Sequence, residues 1–184
     1  MGAIGNGLEL MQMSKGGDSA ELDLIKSSLA SALAKLRFFR LAFGPVDAQV
    51  RQSFEEAADV TDAMFRGRFS VTWAGEGRDM PRTTARMIYL AILCLERSLP
   101  TGGSALVTVS GDSVALTVKD RRTAPPADLW ALVTSGAPTP DLRADGVQFA
   151  LLRQALADDG QRIDAAFTET GAQLRITAAA RVAA

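Results

Sequence analysis

The chain has 184 residues, 47% hydrophobic and 22% charged, with 20 basic against 21 acidic side chains and a formal net charge of -1. That composition belongs to a folded chain able to bury a sizeable core, in one domain or two small ones, and argues against disorder. The charges are interspersed, so no basic run follows a phosphate backbone; no apolar stretch reaches the roughly 18 residues of a membrane span; and the single cysteine, Cys94, excludes an internal disulfide. A cytoplasmic protein without nucleic-acid or membrane partners is expected.

Apolar residues fall at helical spacing from Ile4 to Met13 and again from Leu22 to Phe43. Lys15-Gly16-Gly17-Asp18 breaks the chain between them, and Asp18 or Ser19 is placed to cap the second helix. The result is a helical hairpin. Gly44-Pro45 stops it, and Val46 to Phe65 reads as a third, Glu- and Ala-rich amphipathic helix.

After Gly67 the period changes from helix to strand. Arg68 to Trp73 alternates as a half-buried strand and ends at Gly75-Glu76-Gly77. Arg82 to Leu99 reads as a long helix with an almost unbroken apolar run, terminated by Pro100-Thr101-Gly102-Gly103. Strands at Ala105–Val109 and Val114–Val118 join through Gly111-Asp112. Helices near Pro126–Val133 and Gly146–Ala157 then lead through Asp158-Asp159-Gly160 to a last hairpin, Arg162–Phe167 with Ala172–Ala178. Helices on one face of a mostly antiparallel sheet would bury this pattern, so an α+β fold is expected, with a helical domain over residues 1–66 and an α/β sandwich over 67–184.

An isolated hairpin cannot bury apolar stripes on more than one side. Ile4, Leu8 and Met11 on its first helix, with Leu22, Ile25, Leu29, Leu33 and Leu36 on its second, are therefore assigned to a homodimer interface in a four-helix bundle. At roughly 1.5–3 kcal/mol per large side chain buried, about half a dozen of them suffice for association. The alternative is that the third helix or the sandwich covers the hairpin.

Gly2-Ala3-Ile4-Gly5-Asn6-Gly7-Leu8-Glu9-Leu10, the hairpin after it, and the long helix closed by Leu99-Pro100-Thr101-Gly102-Gly103 resemble the ChpT-type histidine phosphotransferases of bacterial phosphorelays. The resemblance covers essentially the whole chain and is most specific in the opening segment. It implies a dimerisation hairpin followed by a degenerate histidine-kinase ATPase-like domain. It also implies transfer of phosphate from a receiver-domain aspartate to a histidine on the first hairpin helix, then to another receiver. The partners implied are response-regulator receivers and the receiver of a hybrid kinase.

The chain contains no histidine. In the family the phosphoacceptor lies in a His-Asp segment shortly before Gly-Ala-Ile, which places it upstream of Met1, so no catalytic residue is assigned within these residues. Truncation, a late start codon, or a natural non-catalytic relative would each account for this, and the 184 residues alone should be inactive because no imidazole is present to form a phosphoramidate.

A kinase ATP site would also need a Mg²⁺-holding Asn six residues before the Pro of the Pro-x-Gly-Gly turn; that position is Cys94, and Leu90 stands four residues earlier. After the central hairpin an Asp-x-Gly-x-Gly motif is replaced by Asp120-Arg121-Arg122-Thr123-Ala124. The phosphate-lid glycines are reduced to Gly146 in Asp145-Gly146-Val147-Gln148-Phe149-Ala150. No nucleotide, metal or other cofactor is expected. Cys94 reads as a small buried hydrophobe, Asp120 with Arg121 and Arg122 as an exposed charge cluster, Asp158-Asp159 as a solvated turn, and Trp73 and Trp130 as packing residues.

Folding the hairpin about Gly16-Gly17 sets the upstream turn near Phe38 to Arg40, so Arg37 and Arg40 become candidates to offset phosphoryl or receiver charge. The resemblance implies a receiver-docking groove; Asn6, Glu9, Leu10 and Met13 on one helix and Ser28, Ser31 and Lys35 on the other are assigned to it. A non-catalytic dimeric adaptor that binds receivers, and an ATP-binding protein histidine kinase, are the alternative functions.

Overall fold

The computed structural model describes residues 20–75, 79–138 and 142–179. The expected first hairpin helix and its glycine break lie outside them. The described chain begins with helix α1, Ala20–Phe43. Gly44 ends it with a backbone N–H to Arg40 O at 3.1 Å. A Cβ at Gly44 would collide with that carbonyl, so only glycine fits the exit.

The expected helix from Val46 to Phe65 is corrected at its front end. Val46 to Val50 is non-helical, Arg51–Ser53 forms a short strand β1, and helix α2 runs only from Phe54 to Met64. Ser53 is the reason: its Oγ accepts from the backbone N–H of Glu56 at 3.0 Å and so caps α2 at that residue. Ser53-Phe54-Glu55-Glu56 is a capping-box pattern, a signal for the start of α2.

Six more strands and three more α-helices follow among the described residues: β2 at Phe69–Gly75, β3 at Asp79–Pro81, α3 at Arg82–Arg97, and β4 and β5 at Gly103–Ser110 and Ser113–Lys119. Next come α4 at Ala127–Ser135, a 3-10 turn at Ala144–Gly146, α5 at Val147–Asp158, and the final pair β6 at Gln161–Thr168 and β7 at Gly171–Ala178. The main sheet has the order β2-β4-β5-β7-β6, with β2 and β4 parallel and every other pair antiparallel. The short strands β1 and β3 pair with each other, Gln52 opposite Met80.

Alternation along the strands sets one face of the sheet inward: Ala105, Val107 and Val109 on β4, Val114, Leu116 and Val118 on β5, and Ala172, Leu174 and Ile176 on β7 are all buried. Against this face lies α3, buried on nearly every side through Met87 to Ile92, Cys94 and Leu95, as its unbroken apolar run requires. Phe149, Leu152 and Leu156 of α5 complete the layer. The C-terminal half of α1 enters the same core: Phe38 and Ala42 are fully buried, and the Phe38 ring meets Phe65 and Tyr89 edge-on at 5.3 Å each. Helix α2 packs on the α1 of its own chain.

Candidate functional site

Two places deserve comparison: the positions where a related kinase would hold nucleotide, and the faces of α1. At the first, Cys94 and Leu90 are fully buried, and burial pushes the Cys94 thiol well above its usual range. One turn on, buried Ser98 donates its hydroxyl to Cys94 O at 2.9 Å and accepts from the indole N–H of Trp130 at 2.9 Å. The Trp130 ring also meets Phe149 at 5.4 Å and Phe167 at 5.1 Å. Helix α4 is thereby pinned onto the end of α3 by one aromatic side chain whose only polar atom is satisfied.

The segment after β5 is closed in the same way. Asp120 takes a left-handed φ of 55° and is exposed. Beyond it, Arg121 N–H donates to Thr170 O at 3.0 Å, Thr123 N–H to Glu169 O at 3.1 Å and Ala124 N–H to Ser98 O at 2.8 Å. Backbone that in a nucleotide site would be free to approach a base is committed to the β6–β7 turn and to α3. At the position of the lid, a Cβ on Gly146 would sit 3.2 Å from a methyl of Leu129, so the room that glycine leaves is taken by leucine. Asp145 beside it is paired with Arg97 at 3.0 Å.

A cleft of about 770 Å³ remains next to this closed region, between α1, α3 and the start of α5. Phe39, Phe43, Leu93 and Leu99 give it an apolar floor, and Arg68, Glu96 and Gln148 a polar rim. Glu96 is half-buried there; desolvation raises its carboxyl above the ordinary range, while the charge of Arg68 pulls the other way. Sequence reasoning did not assign this cleft, although the consecutive aromatics Phe38-Phe39 carried a signal: neighbours on a helix point about 100° apart, and with Phe38 fully buried Phe39 is left at the edge of the core, 40% exposed.

Helix α1 has two different sides. Phe38 and Ala42 face the core, whereas Ile25, Leu33 and Leu36, from the expected dimer stripe, are 49%, 44% and 65% exposed. Leu29 is half-buried and Leu22 is buried. Among the residues assigned to receiver docking, Ser31 and Lys35 line a groove of about 500 Å³, but its far wall among the described residues is Ala63, Met64 and Arg66 of the α2 region. Ser28 and Arg40 are exposed. Arg37 donates to Glu56 Oε1 at 2.9 Å, so its charge is already shared with α2. Asn6, Glu9, Leu10 and Met13, and the interface residues Ile4, Leu8 and Met11, lie outside the described residues.

The sequence profile of the histidine phosphotransferase C-terminal domain matches residues 54–171. Protein phosphotransferase ChpT of Brucella abortus (strain 2308) is 33% identical over 154 residues, which span 80% of this chain and 73% of that one. The 1.7 Å structure of a bacterial phosphotransferase superposes with a TM-score of 0.73 at 30% identity, covering 95% of this chain and 86% of its own. With a family profile over most of the α+β sandwich and a relative alike along most of the chain, the protein belongs to the ChpT-type histidine phosphotransferases.

Proposed function

We propose that the protein is the scaffold of a phosphorelay phosphotransferase, carrying phosphate between receiver-domain aspartates of a hybrid kinase and of a response regulator. The observation that carries this reading is the contrast between the exposed leucines of α1 and the packed region around Cys94 and Trp130. A family member built this way binds proteins along its helices and has no use for ATP.

The chemistry needs an imidazole that these 184 residues do not contain. In the transfer, an imidazole nitrogen attacks the phosphorus of an aspartyl phosphate; the P–N bond forms as the P–O bond to the carboxylate breaks, and the carboxylate leaves with the electron pair. The reverse exchange on a second receiver restores the imidazole. The residues here supply the platform: the α1 stripe Ile25, Leu29, Leu33 and Leu36 associates with a second copy in a four-helix bundle, while Ser28, Ser31, Lys35, Arg37 and Arg40 face the receiver. Residues 1–66 would then be the unit that handles phosphate, and residues 67–184 the support that fixes it, in a cytoplasmic homodimer.

The test is to phosphorylate a receiver domain and incubate it with two proteins: the 184-residue chain, and the natural gene product including any in-frame His-Asp segment before Met1. Acid-labile, base-stable label on the longer protein and none on the shorter one is the expected result. A natural product with no such histidine, yet with measurable receiver affinity, would replace this reading with that of a non-catalytic adaptor.

A further inference from the structure

The last turn of α1 is held by two arginines of α3. The Arg82 guanidinium donates from Nη2 to Leu41 O at 2.7 Å, and Arg86 Nε donates to Ala42 O at 3.2 Å. A helix leaves its final carbonyls without intrahelical partners and carries partial negative charge there, so two cations aimed at them form a clamp across the two helices. Arg82 is the more deeply placed, only 9% exposed. Its backbone N–H donates to Val50 O at 2.9 Å, and its guanidinium carbon lies 5.8 Å from the centre of the Tyr89 ring. One residue therefore touches the end of α1, the loop before β1, and the middle of α3.

A buried guanidinium is a costly way to gain stability, since an apolar side chain of similar length often packs as well or better. What it supplies is direction: a planar fork donates at fixed angles, which neither methionine nor lysine reproduces. We propose that Arg82, assisted by Arg86, is the positioning residue that sets the angle of α1 on the α+β sandwich. Resting on the function proposed above, this makes it the residue that holds the receiver-docking helix in one orientation relative to the cleft at Phe39 and Phe43. A receiver spanning helix and sandwich then meets a single prearranged surface and loses no affinity to a spread of orientations.

The experiment measures that angle. Spin labels are placed through Ala32→Cys on α1 and Lys119→Cys on β5, both exposed, while the buried Cys94 stays unlabelled; excess unlabelled chain suppresses distances between copies. The unsubstituted protein should give one narrow distance distribution. Arg82→Met should broaden it while thermal unfolding stays cooperative, lower the affinity for a receiver domain that binds the unsubstituted chain by about tenfold, and be partly rescued by Arg82→Lys. If Arg82→Met fails to fold, Arg86→Met decides, with partial broadening expected. A distribution as narrow as the original in the folded variant overturns the proposal, whatever happens to the melting temperature. If no receiver binds the unsubstituted chain, the phosphotransfer reading fails, and the distance distribution still decides the role of Arg82.

Discussion

Around Cys94 and Trp130, polar atoms are paired and apolar volume is filled; along α1, leucines stand in solvent and the polar groups sit beside open grooves. Both regions belong to one continuous fold, yet one has been closed and the other left open. The difference teaches that a fold outlasts a site, because the sheet and α3 need only apolar side chains of suitable size, whereas nucleotide binding needs particular ligands at particular places. Cys94 and Leu90, at two of the positions where a kinase motif would carry polar side chains, are part of the core. Among the described residues nothing covers the exposed leucines of α1, and apolar side chains grouped on a helix face are the kind of surface a partner or another helix covers.

The sharpest way to break the comparison is to reopen the closed region. Trp130→Ala removes two ring contacts and the indole N–H that donates to Ser98 Oγ, and should cost about 3–5 kcal/mol in chemical denaturation. It should still bind no ATP, since Cys94 and Leu90 remain; binding by calorimetry would show that Trp130 alone closes the site. On the open side, Leu33→Asp with Leu36→Asp should change the stability of the folded chain by no more than about 0.5 kcal/mol per exposed site. It should convert a dimer to a monomer in size-exclusion chromatography with light scattering; an unchanged mass would remove α1 from the interface. Arg37→Glu replaces a half-exposed ion pair with repulsion from Glu56, a loss of about 0.2–1 kcal/mol, and should weaken receiver binding in a titration.

The smallest effect concerns the cleft between the two regions. The Glu96 carboxyl is raised in the folded chain above its ordinary 4.5. The folded state therefore holds its proton longer than the unfolded one, and stability falls as pH rises from that value through the folded pKa. Glu96→Gln should remove this slope and gain a fraction of a kcal/mol at neutral pH, modest because the group is half-exposed. Unfolding curves at pH 4 and pH 7 check it; a larger loss at pH 7 than at pH 4 would show that the attraction of Arg68 outweighs desolvation.

Much of the architecture was legible because long periodic segments leave few choices. The apolar run of Met87 to Leu93 could only be a central helix, and Gly111-Asp112 between alternating strands could only be a two-residue turn. The strands β1 and β3 were not legible, since three residues carry no period and their pairing joins Gln52 to Met80 across 28 positions. The departures from a kinase motif at Cys94, Leu90 and Asp120 were readable in the residues themselves. The packing around them was not: Trp130 and Ser98 lie 32 positions apart and meet only through the packing of α4. On α1, spacing identified the apolar stripe, but the pairing of Arg37 with Glu56 depends on the start of α2, which a longer expected helix had misplaced.

One calorimetric comparison tests the account most directly: the chain titrated with a receiver domain and, separately, with Mg²⁺-ATP. Saturable heat with the receiver, abolished by Lys35→Glu with Arg37→Glu, and no heat with ATP is the predicted result. Binding of ATP together with indifference to the receiver would contradict it.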